Sequence, residues 1–416
     1  MSKIKQLYAW DIFDSRGVPT VESIVVLESG AVGVASAPSG ASTGSHEALE
    51  LRDGDEKKFH GQGVIKAVGN VNNLISKVLV GKEAENQEVV DKTLIDLDNT
   101  INKSQLGANA ILTVSVAVCK ANAIEKKKPL YRHVAELYGL TSELKVPTPL
   151  FNFINGGLHG AGNLEFQEFH VIPATTFPYS VALEIGVEIY HTLKRALARR
   201  GAIYSVGDEG GFAPNLFTNL DALEIISESI SQSGYTTGRD VNLGLDVAAN
   251  HFYKDGKYVI KDRSSPLEPG EFIDYYRDLN NQYRLTLLED PLYEDDWGNW
   301  RKITEELAGK TTIVGDDLLV TNVTRVKTAI KEKACNGILV KPNQVGTVTE
   351  TLEVIKLART AGWKVIVSHR SGETNDAFIA DFAVGVGADF VKFGGPSRGE
   401  RMAKYNRLKA IDLELE

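Results

Sequence analysis

The spacing of apolar and polar residues divides the chain into two parts. In the first part, apolar residues alternate with polar ones over 4–12, 21–27 and 32–37, which predicts a small antiparallel meander. Apolar residues then recur at helical spacing, and the predicted helices cover 64–79, 87–97 and 108–125. We expect a small α+β domain over residues 1–138, which ends at the breaker-rich segment 139–149.

In the second part, short apolar strands alternate with helical patterns. Repeated β-then-α units of this length predict parallel strands, and their number favours a closed (β/α)8-type barrel over residues 145–416. The alternative is an open doubly wound sheet, but no Gly-x-Gly-x-x-Gly follows an early strand to support a dinucleotide site. The predicted fold class is therefore α/β, a modified TIM-like barrel preceded by a smaller α+β domain with a three-stranded meander.

Charged or titratable residues end six of the predicted strands. In chain order they are Asp246, Glu289, Asp316, Lys341, His369 and Lys392. All strand C-termini of a parallel barrel open onto one face, where active sites are found. Three carboxylates from three rigid strands suit a divalent cation such as Mg²⁺. Two lysines facing them would be stabilised by the acids and kept at a distance by the metal.

Each of these residues also has an ordinary structural interpretation. A lone acid at a strand end more often caps the next helix, which we consider for Asp290 and Asp317, and a lone lysine is usually solvated. Six such residues in succession, three acids and then a block with two lysines, are unusual as a product of capping alone. The set therefore indicates a functional site.

Three further stretches carry polar groups whose roles the local sequence leaves open. Glu209 lies among glycines in S-V-G-D-E-G-G-F-A-P, which is typical of a turn or of a tight loop close to a ligand. His159 lies on a glycine-rich loop that precedes Gln167 and Glu168, where a single histidine is more often structural. Residues 38–44, P-S-G-A-S-T-G, are compatible with a plain surface loop or with a lid over a ligand.

Charge and composition restrict the partners. A formal net charge of −9 and a pI near 5.5 give no general attraction to a nucleic acid or an anionic membrane, so local cations must hold any anionic substrate. We expect neither a secretory signal nor a membrane span, because no apolar stretch is long enough. Cys119 and Cys335 lack metal-ligand spacing, which favours a reducing compartment and a cytoplasmic protein.

Longer stretches of the chain resemble the enolases, hydro-lyases that act on 2-phospho-D-glycerate. The matching stretches follow the expected order over nearly the whole chain. They include D-S-R-G-x-P-T, S-G-A-S-T-G, N-K-S-x-L-G-A-N-A-I-L, N-G-G-x-H, Q-E-F, G-D-E-G-G-x-A-P, L-E-D-P, G-D-D-L, K-P-N-Q-x-G-T, S-H-R-S-G-E-T and G-E-R-x-A-K-Y-N. The resemblance implies a lyase of glycolysis and gluconeogenesis that converts 2-phosphoglycerate reversibly to phosphoenolpyruvate and water, with two Mg²⁺ ions per active site.

The resemblance also implies roles for individual residues. Lys341 resembles the general base, and Glu209 resembles the general acid. Residues that resemble metal ligands are Asp246, Glu289 and Asp316 for the first Mg²⁺ and Ser42, on the lid loop, for the second. Residues that resemble substrate contacts are His159, Gln167, Glu168, His369, Arg370, Ser371 and Lys392. The same resemblance suggests a homodimer, with an octamer as the alternative.

A few positions depart from the commoner family pattern. They are Val18, Gly160, His170 and Phe393. Phe393 follows Lys392 where a smaller residue is more usual, and a bulky ring beside the carboxylate contact could alter substrate fit. The alternatives are a sister enzyme acting on another carboxylate, which the S-G-A-S-T-G and S-H-R-S-G-E stretches disfavour, and a non-catalytic scaffold, which intact Lys341 and Glu209 disfavour.

Overall fold

The structure is a computed structural model that describes residues 2–40, 44, 46–160 and 162–416. Its N-terminal part begins with an antiparallel meander, which confirms the prediction. The strands are β1 (Ile4–Phe13), β2 (Pro19–Leu27) and β3 (Val32–Ser36). The helices that follow are α1 (Ile65–Asn70), α2 (Ser76–Leu79), α3 (Gln87–Asp98), α4 (Ala108–Glu125) and α5 (Leu130–Tyr138). A π-helical turn over Val71–Ile75 joins α1 to α2, so the predicted helix over 64–79 is continuous but irregular.

Helix α4 is the centre of this part of the molecule. It is apolar or small on nearly all sides, and most of its residues are buried. One side lies against β2 and β3, where Gly33 permits a close approach. A Cβ atom at Gly33 would lie only 1.9 Å from the carbonyl oxygen of Ala117 in α4. The helix therefore packs against the sheet backbone itself.

The C-terminal part forms a closed barrel. The strands in chain order are β4 (Thr148–Pro149), β5 (Phe151–Asn155), β6 (Glu168–Pro173), β7 (Val241–Asp246), the small hairpin of β8 (Tyr253–Lys254) and β9 (Lys257–Tyr258), β10 (Leu285–Glu289), β11 (Thr312–Gly315), β12 (Gly337–Val340), β13 (Lys364–Ser368) and β14 (Phe390–Lys392). The helices are α6 (Tyr179–Arg199), α7 (Asn219–Gln232), α8 (Pro269–Tyr283), α9 (Trp297–Leu307), α10 (Val323–Glu332), α11 (Val348–Thr360), α12 (Phe378–Gly385) and α13 (Gly399–Leu415). The barrel order is β4-β14-β13-β12-β11-β10-β7-β6-β5. Only Leu150 separates β4 from β5, so one stretch of chain pairs with both ends of the sheet and closes it.

One strand makes this barrel a modified one. Strand β6 runs antiparallel to both of its neighbours, β5 and β7. The loop that joins β5 to β6 contains a 3₁₀ turn at Gly157–His159 and no α-helix among its described residues. Parallel neighbours usually require a crossover helix, whereas an antiparallel pair does not. The fold class predicted from the sequence is confirmed in this modified form.

The barrel interior has an apolar layer and, above it, a charged one. The apolar layer consists of Leu150, Ile172, Leu287, Val314, Leu339 and Ile366, with Phe390 packed at its edge. Side chains alternate along a strand, so residues two positions further along face the same interior. On the parallel strands these residues are Glu289, Asp316, Lys341, Ser368 and Lys392. The interior therefore changes from apolar to charged at the carboxyl ends of the strands.

The N-terminal part packs against the barrel through partly buried polar contacts. Lys103 Nζ lies 2.7 Å from Glu350 Oε1, and Lys120 Nζ lies 2.6 Å from Asp376 Oδ1. The division into domains at 1–138 and 145–416 stays a prediction. Over the ranges that the structure describes, no helix combines the length and apolar character needed to cross a membrane.

Candidate active site

A polar cavity lies at the carboxyl ends of the barrel strands. The predicted site residues that line it are His159, Gln167, Glu168, Glu209, Asp246, Asp316, Lys341, His369, Arg370, Ser371 and Lys392. Glu289 is fully buried beneath them, in contact with Lys392. Ser42 lies outside the described residues. The barrel thus brings together residues that are as much as 233 positions apart in the sequence.

Lys392 lies among the carboxylates. Its Nζ is 2.8 Å from Asp246 Oδ2, 2.9 Å from both oxygens of Glu289 and 3.2 Å from Glu168 Oε1. Burial alone would lower the pKa of this amine, but the acids outweigh burial and raise the pKa of Lys392 well above its ordinary value. Lys392 is therefore a permanent cation that neutralises part of the buried negative charge.

Lys341 forms an ion pair with Asp316. The other oxygen of Asp316 accepts a hydrogen bond of 3.0 Å from Gln344 Nε2, and the backbone N–H of Lys341 donates to Thr321 Oγ1 at 3.0 Å. Burial would lower the pKa of Lys341, but the Asp316 charge outweighs it and raises the pKa. Both lysines therefore contact the acids directly, because opposite charges pair when they are buried together.

Two glutamates and three histidines form a second cluster, and all of them except His170 line the same cavity. Glu209 Oε2 lies 3.2 Å from His159 Nδ1 and 3.9 Å from His369 Nε2, and Glu168 Oε2 lies 2.9 Å from His170 Nε2. Burial and the neighbouring Glu209 charge raise the pKa of Glu168 well above its ordinary value. Burial opposes ionisation of Glu209 too, but the neighbouring His159 ring holds the pKa of Glu209 well below its ordinary value. The two carboxyls hydrogen-bond to each other and share one proton, which resides mainly on Glu168.

Arg370 connects the cavity to the N-terminal part. Its Nη1 lies 2.9 Å from Glu47 Oε2, and its Nη2 lies 3.2 Å from Glu47 Oε1. Nη1 also donates to Asn343 Oδ1 at 3.1 Å. Burial alone would lower the pKa of the guanidinium, but Glu47 raises it. A fixed guanidinium beside the hydroxyl of Ser371 suits an anion such as a phosphate group.

Comparison with known protein families agrees with this arrangement. The family model described as "Enolase, N-terminal domain" matches residues 4–134. The model described as "Enolase, C-terminal TIM barrel domain" matches residues 143–416. The chain belongs to the enolase family. The resemblance read from the sequence motifs is thereby confirmed, and the match indicates a lyase of the enolase superfamily.

Asp290 is a site residue whose role the sequence did not reveal. Its two carboxylate oxygens accept the backbone N–H groups of Asp316 at 2.9 Å and of Asp317 at 2.7 Å. The helix caps expected of Asp290 and Asp317 are wrong, since Asp296 caps α9 and Asn322 caps α10. The buried N–H groups that follow β11 need an acceptor, and Asp290 supplies it. Its position directly after Glu289, in L-E-D-P, is the only signal in the sequence.

The donor groups of this enolase-family site fit the predicted cation. The ligand oxygens of Asp290, Asp316 and Asp317 all lie within 4.8 Å of one another. Burial, and then neighbouring carboxylates, raise the pKa of Glu289 and Asp290 well above ordinary values and that of Asp317 to about 7. A crowd of buried carboxylates that resist ionising together is typical of a divalent cation site. Asp246, Glu289 and Asp316, the ligands predicted from the sequence, lie at the carboxyl ends of three neighbouring strands.

Two of the unusual residues have a clear structural explanation. The Phe393 ring is fully buried against Tyr405, with ring centroids 6.0 Å apart, and it does not line the cavity. Alternation along the chain directs Phe393 away from the interior that Lys392 faces, so it does not enter the place expected for substrate. At Gly160, a Cβ atom would lie 2.4 Å from the carbonyl oxygen of Asn155, so this loop conformation excludes alanine.

Proposed function

We propose that this protein is an enolase that dehydrates 2-phospho-D-glycerate reversibly to phosphoenolpyruvate and water, as glycolysis and gluconeogenesis require. One observation carries the proposal. The amine of Lys341 lines the same cavity as the carboxyls of Glu168 and Glu209, a pair that holds a proton. The elimination needs a base for the proton on the carbon next to the carboxylate and an acid for the hydroxyl on the following carbon. The cavity offers both groups.

In this proposal Lys341 removes the proton from C2. The electron pair of that C–H bond first moves into the carboxylate group. In a second step it forms the C2–C3 double bond as the C3–O bond breaks. Glu209, supplied by the proton that it shares with Glu168, protonates the leaving hydroxyl to give water. Lys341 must be neutral to accept a proton, so its ion pair with Asp316 has to be weakened before the reaction.

The metal requirement follows from the charge of the product of the first step. Removal of a proton beside a carboxylate places a second negative charge on that small group. When bound, two Mg²⁺ ions supply the positive charge that stabilises it, as is general in the enolase superfamily, where a Lys or His base works with one or two Mg²⁺ ions. Asp246, Glu289 and Asp316 would hold the first ion, and Ser42 the second.

The remaining residues bind and orient the substrate in this proposal. Arg370 and Ser371 hold the phosphate, and Lys392, a permanent cation, contacts the carboxylate. His159, His369 and Gln167 surround the leaving group. Gln167 is held in place because its Nε2 donates to Asp246 Oδ2 at 3.0 Å.

We also propose a cytoplasmic homodimer, with an octamer as the alternative. Two observations support these proposals. Both cysteines are free and buried, as in proteins of reducing compartments. The outer face of the meander exposes large apolar side chains, among them Tyr8, Val32 and Val34, which is typical of a surface that associates with a partner.

The experiment is to incubate the purified protein with 2-phosphoglycerate and to follow phosphoenolpyruvate, with Mg²⁺ or with EDTA. We expect product only with Mg²⁺. Unphosphorylated D-glycerate is the matched control. It should not react, because it has no phosphate group for Arg370 and Ser371 to bind. Turnover of another carboxylate without turnover of 2-phosphoglycerate would favour a sister enzyme, and no turnover of any would favour a scaffold.

A further inference from the structure

Arg401 is a fully buried arginine directly behind His369. Its Nη1 lies 2.8 Å from His369 Nδ1 and donates to the carbonyl oxygen of Arg370 at 2.7 Å. Its Nη2 donates to the carbonyl oxygens of Asp208 at 2.8 Å and Ser371 at 2.6 Å. These contacts fix the guanidinium against two loops of the cavity. Arg401 itself does not line the cavity.

The chemistry of the guanidinium decides the state of the His369 ring. An arginine has donors only and stays charged in proteins, so it cannot accept a hydrogen bond from a histidine N–H. Nδ1 of His369 must therefore carry a lone pair, and a neutral ring then carries its hydrogen on Nε2. A second proton would have to bind at Nδ1, where the N–H donor and the positive charge of Arg401 oppose it.

The other nitrogen of the ring is turned toward the reacting groups. His369 Nε2 is buried without a hydrogen-bond partner among the described residues, and Glu209 Oε2 is 3.9 Å away. His369 lines the cavity at this point. That distance leaves Nε2–H available to a substrate oxygen placed beside Glu209.

Gly394 makes room for the pair. A Cβ atom at Gly394 would lie 3.0 Å from Cε1 of His369 and 3.1 Å from Cδ of Arg401. It would also lie 2.3 Å from the carbonyl oxygen of Glu209, and the φ of +89° at Gly394 is itself strained for other residues. The glycine, the arginine and the histidine therefore pack as one unit.

We propose that Arg401 is a positioning residue that fixes His369 as the neutral Nε2–H tautomer, so that His369 donates a hydrogen bond to the leaving hydroxyl and does not accept protons. Burial lowers the pKa of His369 well below its ordinary value against the opposing effect of Glu209, and Arg401 adds to the lowering. The part that concerns the leaving hydroxyl rests on the proposed function. The tautomer itself is independent of it.

The direct test is nitrogen NMR of the wild-type protein with ¹⁵N-labelled histidine, without substrate. The His369 signals are assigned by their loss in His369→Asn. We expect an unprotonated Nδ1 and a protonated Nε2 from pH 6 to pH 8. An Nδ1–H tautomer, or a doubly protonated ring, would overturn the proposal whether or not the protein forms phosphoenolpyruvate, and the Nε2–H tautomer in a protein that forms none would refute only the proposed function.

Two variants test the consequence for the reaction. Arg401→Lys keeps a cation but loses the fork that holds His369, so we expect mixed tautomers and a kcat lower by roughly 10- to 100-fold, with KM changed little. Arg407→Lys is the matched control on the same helix, where Arg407 pairs with Asp381 and Glu414 away from the cavity, and kcat should be unchanged. Wild-type tautomer and kcat in Arg401→Lys would overturn the positioning role.

If Arg401→Lys does not fold, His369→Asn still decides the donor role. Its amide oxygen can accept from Arg401 in place of Nδ1, so the variant is expected to fold. It lacks a donor at the position of Nε2, and kcat should fall by about 100-fold. An undiminished kcat would show that no hydrogen bond from Nε2 matters.

Discussion

Lys341 shows how strongly the chemistry of a residue depends on its neighbours. The sequence identifies it at the end of an apolar strand, and the family resemblance implies the role of base. Neither predicts its ion pair with Asp316, which outweighs burial and raises the pKa of Lys341. That contact depends on side-chain packing above two neighbouring strands, which no local pattern records. The contacts of Arg401 also depend on side-chain packing, so the sequence analysis includes its motif, G-E-R, but assigns Arg401 no role.

His133 in α5 gives a prediction at the residue scale. It is fully buried, and neither ring nitrogen has a hydrogen-bond partner among the described residues. Burial lowers its pKa from 6.5 to about 4. Between pH 6.5 and pH 4 the His133 side chain binds a proton in the unfolded chain but not in the folded one. The free energy of unfolding therefore decreases as the pH falls from 6.5 toward 4. We expect the protonation of His133 to lower the free energy of unfolding by about 2 kcal/mol over that pH range.

Urea unfolding of the wild type and of His133→Leu at pH 7.5 and pH 4.5 measures this cost. Leucine does not titrate and leaves no unpaired polar group in the core. The wild type should lose about 2 kcal/mol more than the variant. His191→Leu, at an exposed position of α6, should behave as the wild type. Equal losses in wild type and His133→Leu would refute the prediction.

At the scale of elements, the strands were easier to predict than their directions and ends. The alternation of apolar strands and helices predicts the barrel. The charged residues at the strand ends predict that the site lies at the carboxyl ends of the strands. The antiparallel direction of β6 goes with a connecting loop that has no crossover helix among its described residues, and periodicity along the chain does not predict this direction. The order of pairing that closes β4 and β5 onto the two ends of the sheet is likewise a long-range property.

Helix α11 gives a prediction at this scale, because a residue of the N-terminal part helps to cap it. Asp91 Oδ2 in α3 accepts the backbone N–H of Thr349 at 2.9 Å and its hydroxyl at 2.7 Å. Asp91 is fully buried. Asp91→Ala should lower the free energy of unfolding by about 1 to 2 kcal/mol, because it leaves an N–H of the first turn of α11 without its acceptor.

Denaturant unfolding of Asp91→Ala beside Asp96→Ala measures the effect of this contact. Asp96 lies on the same helix, and its exposed ion pair with Lys92 contributes little. Asp96→Ala should therefore change stability by less than about 0.5 kcal/mol. Comparable losses in the two variants would show that the contact between α3 and α11 contributes nothing.

At the scale of the whole molecule, the barrel concentrates negative charge in its interior. The chain as a whole carries a formal charge of −9, and the carboxylates of the cavity are buried. Composition predicts the overall sign, but the crowding of Glu289, Asp290 and Asp317 follows only from the closed sheet. A cation that binds only the folded protein relieves this repulsion and stabilises the fold by mass action.

Thermal unfolding with and without Mg²⁺ tests this property of the molecule. At about 100 times the dissociation constant, Mg²⁺ should add roughly 2.7 kcal/mol to the free energy of unfolding, and EDTA should remove it. Asp246→Asn replaces a carboxylate that would hold the ion with a neutral amide, so Mg²⁺ should bind more weakly and raise Tm by less. Asp240→Asn, just before the same strand and outside the cavity, is the control and should keep the full increase. An equal increase in both variants would place the ion elsewhere.

The exchange of the C2 proton of 2-phosphoglycerate with D₂O tests the central claim most directly, because it reports proton removal separately from loss of the hydroxyl. With Mg²⁺ present, NMR of the substrate measures this exchange for Lys341→Ala and for Glu209→Gln. We predict that Lys341→Ala forms no phosphoenolpyruvate and does not exchange the proton, whereas Glu209→Gln forms almost none but still exchanges it. Exchange at the wild-type rate in Lys341→Ala would contradict the assignment of Lys341 as the base.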